Sequence, residues 1–422
     1  MRFSADWQDD APNAAPEDAA TVAEFKLFVA DRNVTQHVLQ RRFSDVITIP
    51  LYAIAESVAY GWWDVFGGRT RPYRLNDHCS GLQLPDIALS FDGVLFRLAV
   101  SPFDRNADER NTLRYITVAE EILDRSSAED QLQHFVDAVL ARLRRKGVPE
   151  TNADARWKRV LGSRADPEEA AFCEASGALG RDPYRIDDAD ALLIEQSAAL
   201  FSGETLLEFL SGISSRASGA PGAAELQWIE TVEKRPPTTS SVPGLKHVED
   251  RSVPGTPTLK AWALGYRRAR MLRRDLHLSA ADRIRTVAEL AGRLDASRKF
   301  ETAPRVYGLR ALRNDLRDEM HVHLRETGRE EQNLFGFARA CGDVVCFPEP
   351  SRSVVNDLQS AYRQAAGRAF AAEFLAPIDE LRSMEADGYD RSEMAAEFGV
   401  WPDVIDRQFE NAPRIDEACA TL

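Results

Sequence analysis

The sequence predicts an α+β fold: a mostly helical multidomain chain with a small β-sheet near its N-terminus. Three observations predict it. Runs rich in β-branched and aromatic residues, bounded by turn signals, crowd into the first hundred or so residues. Residues 152 to 212 carry helix starts and helix stops with no such run between them. A stretch dense in Pro, Ser, Thr and Gly, residues 235–257, then divides the chain, because such composition packs no core.

The elements follow in order. Residues 1–23 are acidic and rich in Pro and Ala without an apolar core, and read as a disordered tail rather than an export signal. An N-terminal domain spans 24–150. Phe25–Val29 and Val46–Ile49 suit strands, and the apolar stretch from Leu51 to Phe66 suits a helix. In PDIALSFDGVLFRLAV, Asp92-Gly93 separates two alternating runs, which predicts a two-residue type I′ hairpin. Its register sets Ile87, Leu89 and Phe91 on one face with Val94, Phe96 and Leu98. A helix from about Asp130 to Lys146 ends at a glycine.

A helical middle domain spans 151–234. Asp166-Pro167-Glu168-Glu169 supplies an N-cap, a proline at the first helical position and acids in the first turn. Gly177 and Gly180 are expected to break that helix. Residues 235–257 form the linker, and a last domain spans 258–422. It holds helices at 259–276 and 279–294, a strand through Met320–His323, helices near 334–347 and 361–375, and a terminal helical pair.

Composition narrows the function classes. The 422 residues carry a net charge of −14, which opposes coating nucleic acid through an overall field but leaves room for a local basic stripe. No apolar run is long enough to span a membrane. The five cysteines are scattered with no CxxC pair, as in a reducing cytoplasm. No Walker loop, GxSxG or GxGxxG stands in a strand-turn-helix setting.

The stretch FARACGDVVCF, residues 337–347, has the rhythm of a zinc-protease helix. There, His at i and i+4 share one face and reach one metal, and the intervening Glu activates the bound water. Together with RAFAAEFLAP, residues 368–377, it resembles the ImmA/IrrE zinc metallopeptidases. Their helix runs Phe-x-x-Ala-His-Glu-x-x-His, and their third-ligand helix ends Phe-Ala-x-x-x-Leu-x-Pro. Ala338 and Gly342 match the first pattern; Phe370, Ala371, Leu375 and Pro377 match the second. SEMAAEFGVWPDVIDRQFEN resembles the helix-turn-helix-like pair closing many members, and GYRRARMLRRDLHL the helix leading into their fold. The likeness covers residues 258–422 and implies a zincin-like (ImmA/IrrE-type) domain.

On that alignment the metal-site residues are replaced. Arg339 and Asp343 stand at the two histidines, Ala340 at the glutamate, and Gln364 at the third ligand. Arginine keeps its proton and does not ligate zinc, alanine offers no base, and glutamine is a weak neutral donor. The expectation is a pseudo-metallopeptidase with no catalytic residues, no metal and no cofactor, and with Arg339 and Asp343 paired where the metal would sit.

Other residues carry rival readings. His321 and His323 alternate on the expected strand, with Glu319, Glu326 and Cys341 near in sequence; they suit a substitute metal site or a solvent-facing pair. Cys341 and Cys346 suit buried small apolar side chains. Arg267, Arg268, Arg270, Arg273 and Arg274 circle one helix, either as a solvated face pairing with acids or as a contact for nucleic acid or an acidic partner. Trp62 and Trp63 suit core packing or an aromatic ligand platform. The last helix carries Asp403, Asp406 and Glu410 against Arg407, which repels phosphates and suits a cap or protein contact.

The sequence thus points to an inactive regulator or scaffold acting through protein partners, in the cytoplasm and away from membranes. The family implies stress response, phage defence or mobile-element control. The alternatives are an active peptidase with a rearranged metal, and a nucleic-acid-binding regulator using the arginines of helix 264–274.

Overall fold

A computed structural model of the chain describes residues 2–8, 14–79, 81–101, 113–214, 222–234, 245, 260–294, 296, 308–316, 319–325, 327–349 and 351–420. The protein is mixed α and β with small antiparallel sheets, and it divides into two compact units, Met1–Asp187 and Asp188–Leu422.

In the first unit, β1 (Arg2–Trp7) pairs antiparallel with β2 (Val22–Val29), from Arg2↔Phe28 to Trp7↔Ala23. The expected disordered tail is therefore corrected over these residues. RFSADW alternates with a period of two and directs Phe3 at the core, where its ring meets Phe135 edge-on at 5.1 Å. A short helix α1 (Pro16–Thr21) leads into β2. The strands β3 (Arg32–Asn33), β4 (His37–Leu39), β5 (Arg42–Ser44) and β6 (Ile47–Pro50) follow, β3 and β6 both pairing with β2.

Helix α2 (Tyr52–Gly67) carries the apolar run. Beyond it come β7 (Tyr73–Arg74), α3 (Leu75–His78), β8 (Asp86–Phe91), β9 (Leu95–Ser101), β10 (Arg114–Tyr115) and β11 (Ala119–Asp124). One sheet has the order β11-β9-β8-β7, another β10-β4-β5. The β8–β9 hairpin forms, but Phe91 pairs with Phe96 rather than Val94. The Asp92 carboxylate accepts from the N–H groups of Val94 (3.0 Å) and Leu95 (2.7 Å), which winds a longer loop and slides the register by two residues. Parity is preserved, so Ile87, Leu89 and Phe91 share the core face with Phe96, Leu98 and Val100.

Three helices complete the unit: α4 (Arg125–Arg145), α5 (Asn152–Ala165) and α6 (Pro167–Ala178). Asp124 caps α4 ahead of the expected start, and Asp166 caps α6 by accepting from Glu168 and Glu169. Gly177 lies inside α6 instead of breaking it. A Cβ there would stand 2.0 Å from the Trp63 carbonyl oxygen, so this glycine lets α2 and α6 touch backbone to backbone.

The second unit opens with α7 (Asp188–Ala198), α8 (Gly203–Ser214) and α9 (Ala223–Glu233). The expected middle domain is thus divided. Trp157, Val160 and Cys173 belong to the N-terminal core, and the boundary falls at Asp187 rather than at 150. The expected linker lies outside the described residues except Leu245, which is buried in the core of this unit.

Next come α10 (Ala261–Asp275), α11 (Val287–Arg293), β12 (Leu309–Leu316), β13 (Glu319–Leu324), α12 (Glu330–Cys346) and β14 (Arg352–Asn356). Helices α13 (Tyr362–Leu375), α14 (Ile378–Ala386), α15 (Arg391–Phe398) and α16 (Pro402–Cys419) follow. The sheet is antiparallel, in the order β13-β12-β14. One apolar core joins α10 through α16 with the inner face of that sheet. The terminal pair α15–α16 turns at Gly399, held left-handed at φ 63°, and starts from an Asp390–Glu393 capping box. No helix among the described residues is long and apolar enough to cross a membrane.

Candidate functional site

Helices α12 and α13 lie side by side because Gly342 has no side chain. A Cβ there would sit 2.6 Å from the Phe370 ring. On α12, Arg339 and Asp343 are one turn apart on the same face, and α13 brings Gln364 up to Arg339. The strands β12 and β14 and helix α8 supply the remaining side chains, so five elements meet at one buried polar cluster.

The cluster has two halves. In one, Arg339 Nη2 donates to the Asn356 carbonyl (2.7 Å) and to Gln364 Oε1 (2.9 Å). Gln364 Oε1 also accepts from the Asn356 N–H (3.0 Å), and its Nε2 donates to the Val354 carbonyl (2.8 Å) and to Glu208 Oε2 (2.9 Å). In the other, Asp343 Oδ1 accepts from Arg363 Nη2 (2.6 Å), and Oδ2 accepts from Ser353 Oγ (2.5 Å) and Arg313 Nη1 (3.1 Å). Arg313 further donates to both oxygens of Asp315 (3.1 and 2.6 Å) and to the Phe347 carbonyl (2.8 Å). Glu208 Oε2 lies 3.7 Å from Arg363 Nε and so joins the halves.

All of this is sheltered from water. Arg313 and Glu208 are 0% exposed, Gln364 3%, Asp343 4% and Arg339 5%. Burial holds the Glu208 carboxyl well above the usual carboxylate range, against the opposing pull of Arg363. Burial likewise brings the Arg339 guanidinium down to about 9, helped by the like charge of Arg368. Arg339 donates only to neutral oxygens, whereas Arg313 and Arg363 face carboxylates. Among the described residues, Glu208 Oε1, Arg339 Nε and Arg363 Nε have no hydrogen-bond partner. Chemically the cluster is a clamp between elements. Both Asp343 oxygens and both ends of Gln364 are already engaged, and Ala340, the residue after the arginine, is apolar.

The structure therefore gathers Arg339, Asp343 and Gln364, while correcting the expected ion pair. Arg339 and Asp343 do not bond each other, because each finds nearer partners on β12, β14 and α13. Arg313, Arg363, Glu208, Ser353 and Asn356 escaped the sequence reading. Arg363, next to Gln364, was the only one with a local signal.

The other candidates disperse. Trp62 and Trp63 are each 1% exposed, which removes the aromatic platform. Trp62 meets Trp157 edge-on at 5.2 Å, and Trp63 Nε1 donates to the Tyr184 hydroxyl (3.1 Å). The arginines of α10 form no outward row. Arg267 donates to the Ala418 carbonyl, Arg270 to Glu373 (2.8 Å), and Arg273 to the Phe374 carbonyl (2.6 Å), leaving Arg274 exposed and Arg268 half-buried. The amphipathic wrap of α10 against α13 and α16 turns its basic residues into internal donors. His323 is buried, which lowers its imidazole to about 4, and His321 is half-buried. Among the described residues no three His, Cys, Asp or Glu side chains are grouped to hold a metal. Cys341 and Cys346 are buried free thiols, with burial pushing Cys346 up to about 12.

No family model matches the chain, and no curated protein and no solved structure matches it.

Proposed function

We propose that the chain is a catalytically inert relative of the ImmA/IrrE peptidases. It acts as a regulator or scaffold through protein–protein contacts, in the settings where that family works: stress response, phage defence or mobile-element control. One observation carries the reading. The three positions that the resemblance assigns to metal ligands, 339, 343 and 364, lie within one buried cluster although 25 residues separate Arg339 from Gln364, and each now holds a side chain engaged with its neighbours. A fixed cation at 339 repels a dication, and alanine at 340 leaves no group to take a proton from a bound water.

The test is metal content by plasma emission on protein purified without chelator, with peptidase assays alongside. Substoichiometric zinc and no cleavage are expected. Replacing Arg339, Ala340, Asp343 and Gln364 together by His, Glu, His and Glu should be needed for any gain of zinc. Stoichiometric zinc that is lost in Asp343→Asn would overturn the reading.

A further inference from the structure

The N-terminal unit holds arginines of the opposite kind. Strands β4 and β5 form a hairpin closed by Gln40 and Arg41, both left-handed at φ 49° and 65°. With a two-residue loop the flanking pair, Leu39 and Arg42, exchanges hydrogen bonds, and the next pair, Val38 and Phe43, does not. The Phe43 N–H and C=O therefore point away from β4. They lie on the outer edge of the sheet, since β5 ends the order β10-β4-β5.

Among the described residues, nothing covers the face above that edge. Phe43, Val38 and Arg114 stand in one row, and Ile116 follows on the same side as its N–H bonds the Gln36 carbonyl (3.2 Å). On that face Phe43 is 62% exposed, and Ile116, just past β10, is 47% exposed. An open strand edge flanked by an exposed phenylalanine is a template for pairing with another chain. Arg41, Arg42 and Arg114 are also exposed, and none makes an ion pair among the described residues. Acids outnumber bases 67 to 53 in this chain, so unpaired arginines around an apolar face are a local reversal of sign.

We propose that this sheet docks an acidic, extended segment of a partner protein. The segment adds a strand beside β5 through the outward Phe43 N–H and C=O. Its alternate apolar side chains lie on the Phe43 face, and its carboxylates lie on the opposite face beside Arg42, close to Arg41 at the turn. The backbone edge gives affinity, the apolar face gives register, and the arginines select charge. The inference stands on the N-terminal unit and is independent of the reading of the polar cluster.

The probe is a fluorescein-labelled peptide of about ten residues alternating Glu and Val, titrated by anisotropy into the full chain. Its Lys-for-Glu counterpart and a version N-methylated on alternate amides serve as controls. The acidic peptide should bind about tenfold tighter than the lysine peptide and weaken with salt. Phe43→Ser and Arg42→Glu should each weaken it by about tenfold, and N-methylation on the pairing edge should abolish binding. Both side chains are exposed, so unchanged melting curves verify that the variants fold. Equal binding of the two peptides, or full binding by Phe43→Ser, would overturn the proposal. So would phosphatidylserine vesicle binding or self-association that Phe43→Ser removes while the acidic peptide stays unbound.

Discussion

Arg313 in the C-terminal cluster is wholly buried and meets Asp315, Asp343 and the Phe347 carbonyl. Arg42 in the N-terminal hairpin is exposed and meets no carboxylate among the described residues. The same side chain is thus an internal clamp in one unit and a free surface cation in the other. The difference lies in the alternative each faces. A buried guanidinium without partners would carry an unrelieved desolvation cost of several kcal/mol, so the fold surrounds it with acceptors. An exposed one is already solvated and contributes little to stability, which leaves it available for recognition.

The largest expected effect separates these roles. Asp343→Ala removes the carboxylate shared by Arg313, Arg363 and Ser353 and leaves two buried cations short of a partner. Breaking one side of a buried charge cluster costs about 3–5 kcal/mol, measurable as a lowered urea midpoint with unchanged slope. Arg42→Ala should stay within about 0.5 kcal/mol of wild type. Similar losses in the two variants would erase the distinction between clamp and contact.

Glu208→Gln sharpens the clamp itself. Burial raises the folded-state pKa of Glu208 above its unfolded value. The folded protein then binds more protons than the unfolded chain between the two values, and stability falls as pH rises through that window. Glutamine does not ionise and keeps the shape. The variant should match wild type near pH 4 and exceed it by on the order of 1–3 kcal/mol above the window. Thermal melts across that range test it. A variant less stable at alkaline pH, where Glu208 would be charged, would mean that Arg363 holds Glu208 ionised.

The two regions also differ in how far the sequence exposes them. Helix α2, the β8–β9 hairpin and the Asp166 cap were legible because their signals are local. Strands β12 and β14 were not. LRALRNDL places Arg313 and Asp315 inside a strand, where charge ordinarily argues against one, and only their pairing in the buried cluster makes that tolerable. The spacing of Arg339, Asp343 and Gln364 was legible through the resemblance to a metal motif. Glu208 was not, since it stands 156 residues from the amide it accepts from. No periodicity announces a contact of that separation. The tail strand β1 was hidden for the opposite reason: six alternating residues were averaged into an acidic, proline-containing neighbourhood. The strand β4 and its arginine-bearing turn gave no signal, because Gln40-Arg41 is not the Asn-Gly that a type I′ turn favours.

That unfavourable turn yields the smallest expected effect. Gln40 and Arg41 both carry a Cβ at positive φ, which places it close to the following carbonyl and costs an ordinary residue about 1–2 kcal/mol. Asn tolerates that region and Gly has no such penalty, so the double change Gln40→Asn and Arg41→Gly should relieve strain. Glycine also gains freedom in the unfolded chain, which offsets part of the relief. The net expectation is a stabilisation of about 0.5–1 kcal/mol, read as a small upward shift in melting temperature. Arg41→Gly alone should supply most of it, since the second turn position has the larger positive φ. A destabilised double variant would mean that the Gln40 or Arg41 side chain holds the hairpin through contacts of its own. Arg41 would then be a clamp like Arg313 rather than the free cation that a docking surface requires.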